Sequence, residues 1–211
     1  MIRIAVDAVR PDAAGIERAA AEIRAGHLAA IPTDTLYGLA ADPFNGTTVA
    51  RLFAVKGRDA DRALPLVAAD AGQVTSHFGE LPELARRLAG RFWPGPLTLL
   101  LDAPRALAPL VSGGTSQVGV RVPAHAVTVA LCRACGGPLT ATSANISGSL
   151  PTDDPDLVAR ALGDLIDLLV DAGPTPGGAP STVVDASGRE PRLIRAGAIP
   201  WDEVRACLDL A

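Results

Sequence analysis

Lysine is almost missing from this sequence: of 19 basic residues, 18 are arginine and one, Lys56, is lysine. Tyrosine and methionine also occur once each, and aromatic residues make up only 3% of the chain. No apolar run approaches the roughly 18 residues that a membrane span needs, and Met1-Ile2-Arg3-Ile4 lacks the basic stretch and apolar core of a secretion signal. The three cysteines are too few and too odd in number for a disulfide framework, so the expected compartment is the reducing cytoplasm. A net charge of −4 argues against a surface built as a whole to bind nucleic acid, because such binding depends on neutralising phosphates. Any anion site must therefore be local.

Several familiar motifs are missing too. There is no G-x-x-x-x-G-K-[ST] phosphate loop and no G-x-G-x-x-G after a strand, so an ATP site here is of another kind. Cys132 and Cys135 have the spacing of half a zinc site, but they lie in an apolar helical pattern with no second pair. His27, His77 and His125 are scattered, and no resident metal site is expected. Ser143 has neither a G-x-S-x-G elbow nor a neighbouring histidine to activate it as a nucleophile.

With 211 residues, 48% of them apolar, the chain can bury one sizeable core, and a single domain over 1–211 is expected. Apolar spacing predicts helices near 12–25, 47–55, 81–89, 127–135, 155–162 and 201–208. Short strands are expected near 27–31, 64–69, 97–101, 117–122, 139–142, 168–171, 181–185 and 193–195. This alternation without an internal repeat indicates an α/β sheet protein, whose ligands would gather at strand ends. Two polar turns, Thr33-Asp34-Thr35 and Ser143-Ala144-Asn145, follow such strands. The second, in isolation, reads as a turn held by its own side chains.

Arginine is a planar fork and lysine a compact point charge, so a lone lysine among arginines suggests a place where arginine will not serve. Lys56 stands in Lys56-Gly57-Arg58 at the end of a short helix. The other distinctive blocks are Pro32 to Leu39 (PTDTLYGL), Phe92 to Thr98 (FWPGPLT), Val120 to Pro123 (VRVP), Ser143 to Gly148 (SANISG) and Ser181 to Asp185 (STVVD).

Together these six blocks, taken in chain order, resemble the YrdC-like threonylcarbamoyl-AMP synthases over roughly Ala14 to Ile199. The resemblance implies a YrdC/RibB-like three-layer fold with a twisted mixed sheet, parallel and antiparallel, flanked by helices around a basic cleft. It also implies a reaction joining L-threonine, bicarbonate or CO2, and ATP into threonylcarbamoyl-AMP and pyrophosphate. The product then serves tRNA threonylcarbamoyladenosine modification beside the anticodon, with possible contact to tRNA or to the tRNA threonylcarbamoyltransferase complex.

By the same resemblance Lys56, Arg58, Ser143 and Asn145 are the catalytic tetrad that also holds ATP. Arg62, Gln117 and Arg195 would be further ATP contacts, and Thr35, Arg121 and Ser181 would bind threonine. Mg2+ would arrive with ATP. The chemistry suits such a set, since an anion must approach a polyanion and fixed cations reduce that repulsion. Lys56 and Arg58 are therefore expected in a solvated cleft.

Two positions depart from the family's habits: Asp59 follows Arg58 where proline is common, and Val67 stands where longer members carry histidine. Longer members also add a domain over the cleft, so this chain looks like the short bacterial form. The Gly- and Pro-rich stretch 173–180 is then the expected lid. Two other readings stay open at this point, an RNA-binding module and a carbamoyl-transfer module with another substrate.

Overall fold

Four helices begin on a short side chain that accepts a first-turn N–H: Asp12 from Gly15, Asn45 from Thr48, Asp70 from Gln73 and Asp154 from Asp156. The computed structural model describes residues 1–57 and 59–209. In chain order these give β1 (Ile2–Ala5), α1 (Ala13–Arg24), β2 (Ala29–Ile31), β3 (Gly38–Ala40), α2 (Gly46–Lys56) and β4 (Leu66–Val67). Next come α3 (Ala71–Phe78), α4 (Glu83–Phe92), β5 (Leu97–Asp102), β6 (Gln117–Arg121) and α5 (Ala126–Cys135). The chain continues through β7 (Leu139–Thr140), β8 (Thr142–Ser143), α6 (Pro155–Leu162), β9 (Leu168–Asp171), β10 (Thr182–Asp185), β11 (Arg192–Arg195) and α7 (Trp201–Asp209).

The mixed sheet expected from the sequence is carried in two hydrogen-bonded sheets, ordered β1-β9-β2-β3-β8 and β11-β10-β5-β6-β4-β7. Each combines parallel pairs, such as β1 with β9 and β10 with β5, and antiparallel pairs, such as β2 with β3 and β5 with β6. The stretch expected as one strand, 139–142, instead changes sheet. Leu139 and Thr140 pair with β4, the Ala141 N–H turns to the Pro65 carbonyl, and Thr142 and Ser143 pair with β3. The Thr140 hydroxyl strengthens this junction, accepting from the Ala41 N–H at 2.9 Å and donating to the Leu39 carbonyl at 3.1 Å.

Two apolar cores follow from the period-2 alternation of the strands. Ile31, Leu168 and Val170 face α1 and α5, whose buried Ile16, Ala19, Ile23, Val127 and Leu131 recur at helical spacing. Val67, the second departure from the family, is buried in this core. Ala30, Leu39 and Leu169 turn the other way and join Leu52, Leu66, Leu99 and Val120. Burying such side chains contributes about 1.5–3 kcal/mol each and holds the two sheets in one relation. Among the described residues no helix is long and apolar enough to cross a membrane.

Candidate active site

A cleft of about 530 Å3 opens between the two sheets. One wall is the face of β10, β5 and β6 opposite the core. The register sets Val183 beside Thr98 and Leu100 beside Gly119, and all four line the cleft. A Cβ at position 119 would come within 2.9 Å of Thr98 Cγ2, so glycine is what lets the face stay flat there. The opposite wall is the turn from Thr33 to Gly38 and the sheet junction from Ala141 to Ser143.

Arg121, Arg195, Thr35, Ser143 and Ser181 all line this cleft, although they lie up to 160 residues apart. Arg195 Nη2 donates to the Ser181 carbonyl at 2.7 Å and to its hydroxyl at 3.1 Å. Ser181 Oγ is 2.8 Å from Thr98 Oγ1, giving a chain of guanidinium and two hydroxyls along the wall. Burial, and after it the charge of Arg121, holds the Arg195 guanidinium below its ordinary pKa. Two cations therefore influence each other at one end of the cleft.

Across from them, Thr33 Oγ donates to the Leu36 carbonyl at 2.7 Å and lies 3.1 Å from Thr35 Oγ. The Thr35 carbonyl accepts two bonds of 2.8 Å, from Thr175 Oγ and from the Gly177 N–H. Buried Tyr37 donates its phenol to the Gly173 carbonyl at 2.8 Å. The stretch 173–180 is thus fastened to the threonine turn at several points, while Gly178 and Pro180 face the cleft.

The expectation of a solvated Lys56 is corrected: its side chain lies inward from the last turn of α2 and the residue is 2% exposed. Its helix ends there because Gly57 takes a left-handed conformation, φ +57°, that closes the last turn. Lys56 Nζ donates to the Ser143 carbonyl at 2.5 Å, the Asn145 carbonyl at 2.9 Å and Asn145 Oδ1 at 3.2 Å. Asn145 Nδ2 in turn donates to the carbonyls of Ile146 and Ser149 at 3.1 and 2.6 Å. Lys56 and Asn145 stand behind Ser143 and brace its turn, outside the cleft lining itself.

Gln117 sits at the far end of β6, with Nε2 3.5 Å from Ser187 Oγ and away from the cleft lining. Arg62 is exposed, and its N–H donates to the Asp59 carbonyl. Arg58 lies outside the described residues. Among the described residues no group of three or more His, Cys, Asp and Glu could hold a metal ion. Cys132 and Cys135 have their thiol pKa values raised chiefly by burial, Cys135 to about 11, which keeps both protonated and packed.

Thr98 and Asp34 stand inside the distinctive sequence blocks, but the sequence assigns neither a role. Thr98 could have been found by pairing the FWPGPLT strand with STVVD, which brings its hydroxyl to Ser181. No local signal marks Asp34, since its partner Arg121 is 87 residues away.

A family model for the Sua5, YciO and YrdC proteins, described as telomere recombination, matches residues 21–197. A threonylcarbamoyl-AMP synthase of Pyrococcus abyssi is 40% identical over 189 residues, covering 90% of this chain and 56% of that protein. One of Bacillus subtilis is 40% identical over 194 residues, covering 92% and 56%. A putative threonylcarbamoyl-AMP synthase of Mycobacterium tuberculosis is 36% identical over 194 residues, 92% of this chain and 89% of its own length. The chain thus spans little more than half of the first two relatives. The crystal structure of P. abyssi Sua5 complexed with L-threonine matches with a TM-score of 0.92 at 38% identity, over 99% of this chain and 61% of that one. E. coli YciO matches over 94% of this chain and 97% of its own, with a TM-score of 0.85 at 23% identity, a likeness of fold.

Proposed function

Because this chain belongs to the Sua5–YciO–YrdC family, we propose that it is a cytoplasmic L-threonylcarbamoyladenylate synthase, making threonylcarbamoyl-AMP and pyrophosphate from threonine, bicarbonate or CO2, and ATP. The observation that carries this reading is that Thr35, Arg121, Ser143, Ser181 and Arg195, from five separate sequence blocks, line one cleft. Its volume falls in the range of small-molecule sites. We also read residues 1–211 as one functional unit, since the 139–143 segment belongs to both sheets.

The chemistry assigns roles by charge. Threonine's amine takes up the one-carbon unit to become a carbamate, and a carbamate oxygen then attacks the α-phosphorus of ATP with pyrophosphate leaving. Its α-carboxylate takes no part and needs only to be held, which suits the Arg121 fork. Thr35 and Ser181 hydroxyls can donate and accept, matching the substrate hydroxyl and amine. Arg195, which lines the cleft, is assigned to ATP; Arg58, Arg62 and Gln117 keep that assignment from the family resemblance alone, since Arg62 and Gln117 are not among the lining residues. Lys56 and Asn145 act with Ser143 by fixing the turn beside the phosphates through the Lys56 Nζ hydrogen bonds behind it.

Among the described residues no carboxylate lines the cleft. Magnesium therefore enters as the metal complex of ATP, held by the phosphates of the substrate. The adenylate would pass to the transferase that modifies tRNA, consistent with the P. abyssi and B. subtilis relatives being threonylcarbamoyl-AMP synthases.

The test is ATP–pyrophosphate exchange in the purified chain. Exchange that requires both threonine and bicarbonate, with labelled bicarbonate appearing in the nucleotide product, is expected. Exchange without threonine, or none at all, overturns the assignment.

A further inference from the structure

Asp34 is part-buried in the threonine turn, with its side chain largely covered, yet it is absent from the cleft lining that its neighbours Thr33 and Thr35 join. Its Oδ1 accepts from Arg121 Nη1 at 2.5 Å, and both side chains are 9% exposed. Its Oδ2 accepts from the backbone N–H of Ala124 at 3.2 Å, where the chain enters α5. The carboxylate is therefore clamped at one oxygen to the backbone and at the other to the Arg121 guanidinium, which lines the cleft. Thr33 Oγ lies 3.5 Å from Arg121 Nη2 and steadies the same fork.

We propose that Asp34 is a positioning residue for carboxylate recognition: it fixes the plane of the Arg121 guanidinium so that the remaining N–H groups meet the substrate's α-carboxylate. This rests on the threonine reading above. Arginine has five donors in a rigid fork, and a bidentate grip on a carboxylate needs that fork in one orientation. A long side chain held only at its own backbone would sample several rotamers, and ordering one of them would weaken binding. The aspartate removes that disorder in advance.

A second consequence is electrostatic. Arg121 and Arg195 share one end of the cleft, and a lone carboxylate ligand balances only one of them. Asp34 supplies the other negative charge from the protein side, so an amino acid's carboxylate can be held without drawing a polyphosphate into the same place. Asp34 thereby sets which anion goes where.

Two opposed outcomes separate this from a simple repulsion between Asp34 and the substrate. If Asp34 positions Arg121, Asp34→Asn raises KM for threonine by about tenfold or more, a loss typical of a misplaced binding group, and leaves KM for ATP within about twofold. If Asp34 merely opposes the substrate carboxylate, the same change lowers KM for threonine, and the proposal is wrong. A purely structural role would reduce the amount of active enzyme, and so kcat, without moving KM.

The measurement is threonine- and bicarbonate-dependent exchange, with threonine and ATP varied separately. In an Arg121→Gln background, Asp34→Asn should cause no further loss of threonine affinity, because the two act through one contact. Additive losses would also overturn it. Should Asp34→Asn fail to fold, Asp34→Glu keeps the charge but shifts the guanidinium, and an unchanged threonine KM in that variant refutes the positioning role. Absence of threonine-dependent exchange in the unmodified protein would instead defeat the synthase reading, so the two failures are distinguishable.

Discussion

Lys56 places an ammonium group among three oxygens of the Ser143–Asn145 turn at 2.5 to 3.2 Å while remaining 2% exposed. Removing it strips hydrogen bonds from buried acceptors, each of which costs about 1–3 kcal/mol when left unmade. Lys56→Met is therefore expected to lower unfolding free energy by on the order of 3 kcal/mol and to abolish exchange, both measurable on the same preparation. A variant as stable as the parent would show that the turn does not depend on this lysine. Arg195→Gln offers the contrast, because the residue is exposed as a whole although its guanidinium is half-buried against Ser181. It should change stability by no more than about 0.5 kcal/mol while raising KM for ATP. The distinctive residue was legible in the sequence as the one lysine among arginines. Its burial was not, because a charge at the end of an amphipathic helix ordinarily faces water, and only the partner turn 87 residues away reverses that. Asn145 behaves as the isolated reading of its turn suggested, spending its amide on local carbonyls.

At the scale of elements, the glycines and prolines of 173–180 predict a loop, and the stretch forms neither helix nor strand. Composition alone suggested free movement, but Thr175 is 6% exposed and ties the segment to the Thr35 carbonyl. Motion should therefore be concentrated beyond Gly177, where Gly178 and Pro180 border the cleft. Thr175→Val is expected to lose about 1 kcal/mol of local stability and to speed amide exchange at Gly177, whose N–H shares the same acceptor. Adding ATP and threonine should slow exchange at 177–179 in the parent. If ligands leave those amides unchanged, the segment is a fixed wall rather than a lid. Other elements escaped the sequence reading for identifiable reasons. β3 carries no strand signal because Gly38 opens it and glycine weakens a strand pattern, whereas it pairs on both sides with β2 and β8. Helix α3 buries only Val74, so it lacks the apolar stripe by which helices are recognised, and its aspartate cap was the remaining clue. The 139–143 segment divides between sheets because of Pro65 and Ala41, contacts that no local periodicity can encode.

For the whole molecule, the fold's buried titratable groups define a range of pH in which it is most stable. On the acid side, burial holds the His125 imidazole below its ordinary pKa, with Asp34 pulling the other way, and Nδ1 has no hydrogen-bond partner among the described residues. Burial pushes the Asp185 carboxyl up, but Arg192 and the hydroxyl and N–H of Ser187 outweigh it and bring it down to about 2. Asp167 is likewise lowered against the effect of burial, by Arg51 and the Leu28 N–H. All three bind protons more readily in the unfolded chain, so each contributes stability that disappears as pH falls. The loss attributable to His125 should begin near about pH 6.5, and that of the two aspartates below about pH 3.9. On the alkaline side, burial raises the Tyr37 phenol to about 12, with the Ala172 N–H opposing it. The unfolded tyrosine ionises first, near about pH 10, so its contribution is lost as pH rises from there towards 12. Thermal unfolding followed across this range should give a plateau from about pH 6.5 to about pH 8.5, where the buried thiols of Cys132 and Cys135, both raised by burial, begin to lose their contribution ahead of Tyr37. His125→Gln should flatten the decline that begins near about pH 6.5 without altering the steeper one below about pH 3.9. Asp185→Asn should do the reverse, being less stable than the parent at neutral pH and converging on it as pH approaches 2. A gap between Asp185→Asn and the parent that stays constant from neutral pH to pH 2 would mean that packing, rather than the Arg192 pair, accounts for what that carboxylate contributes.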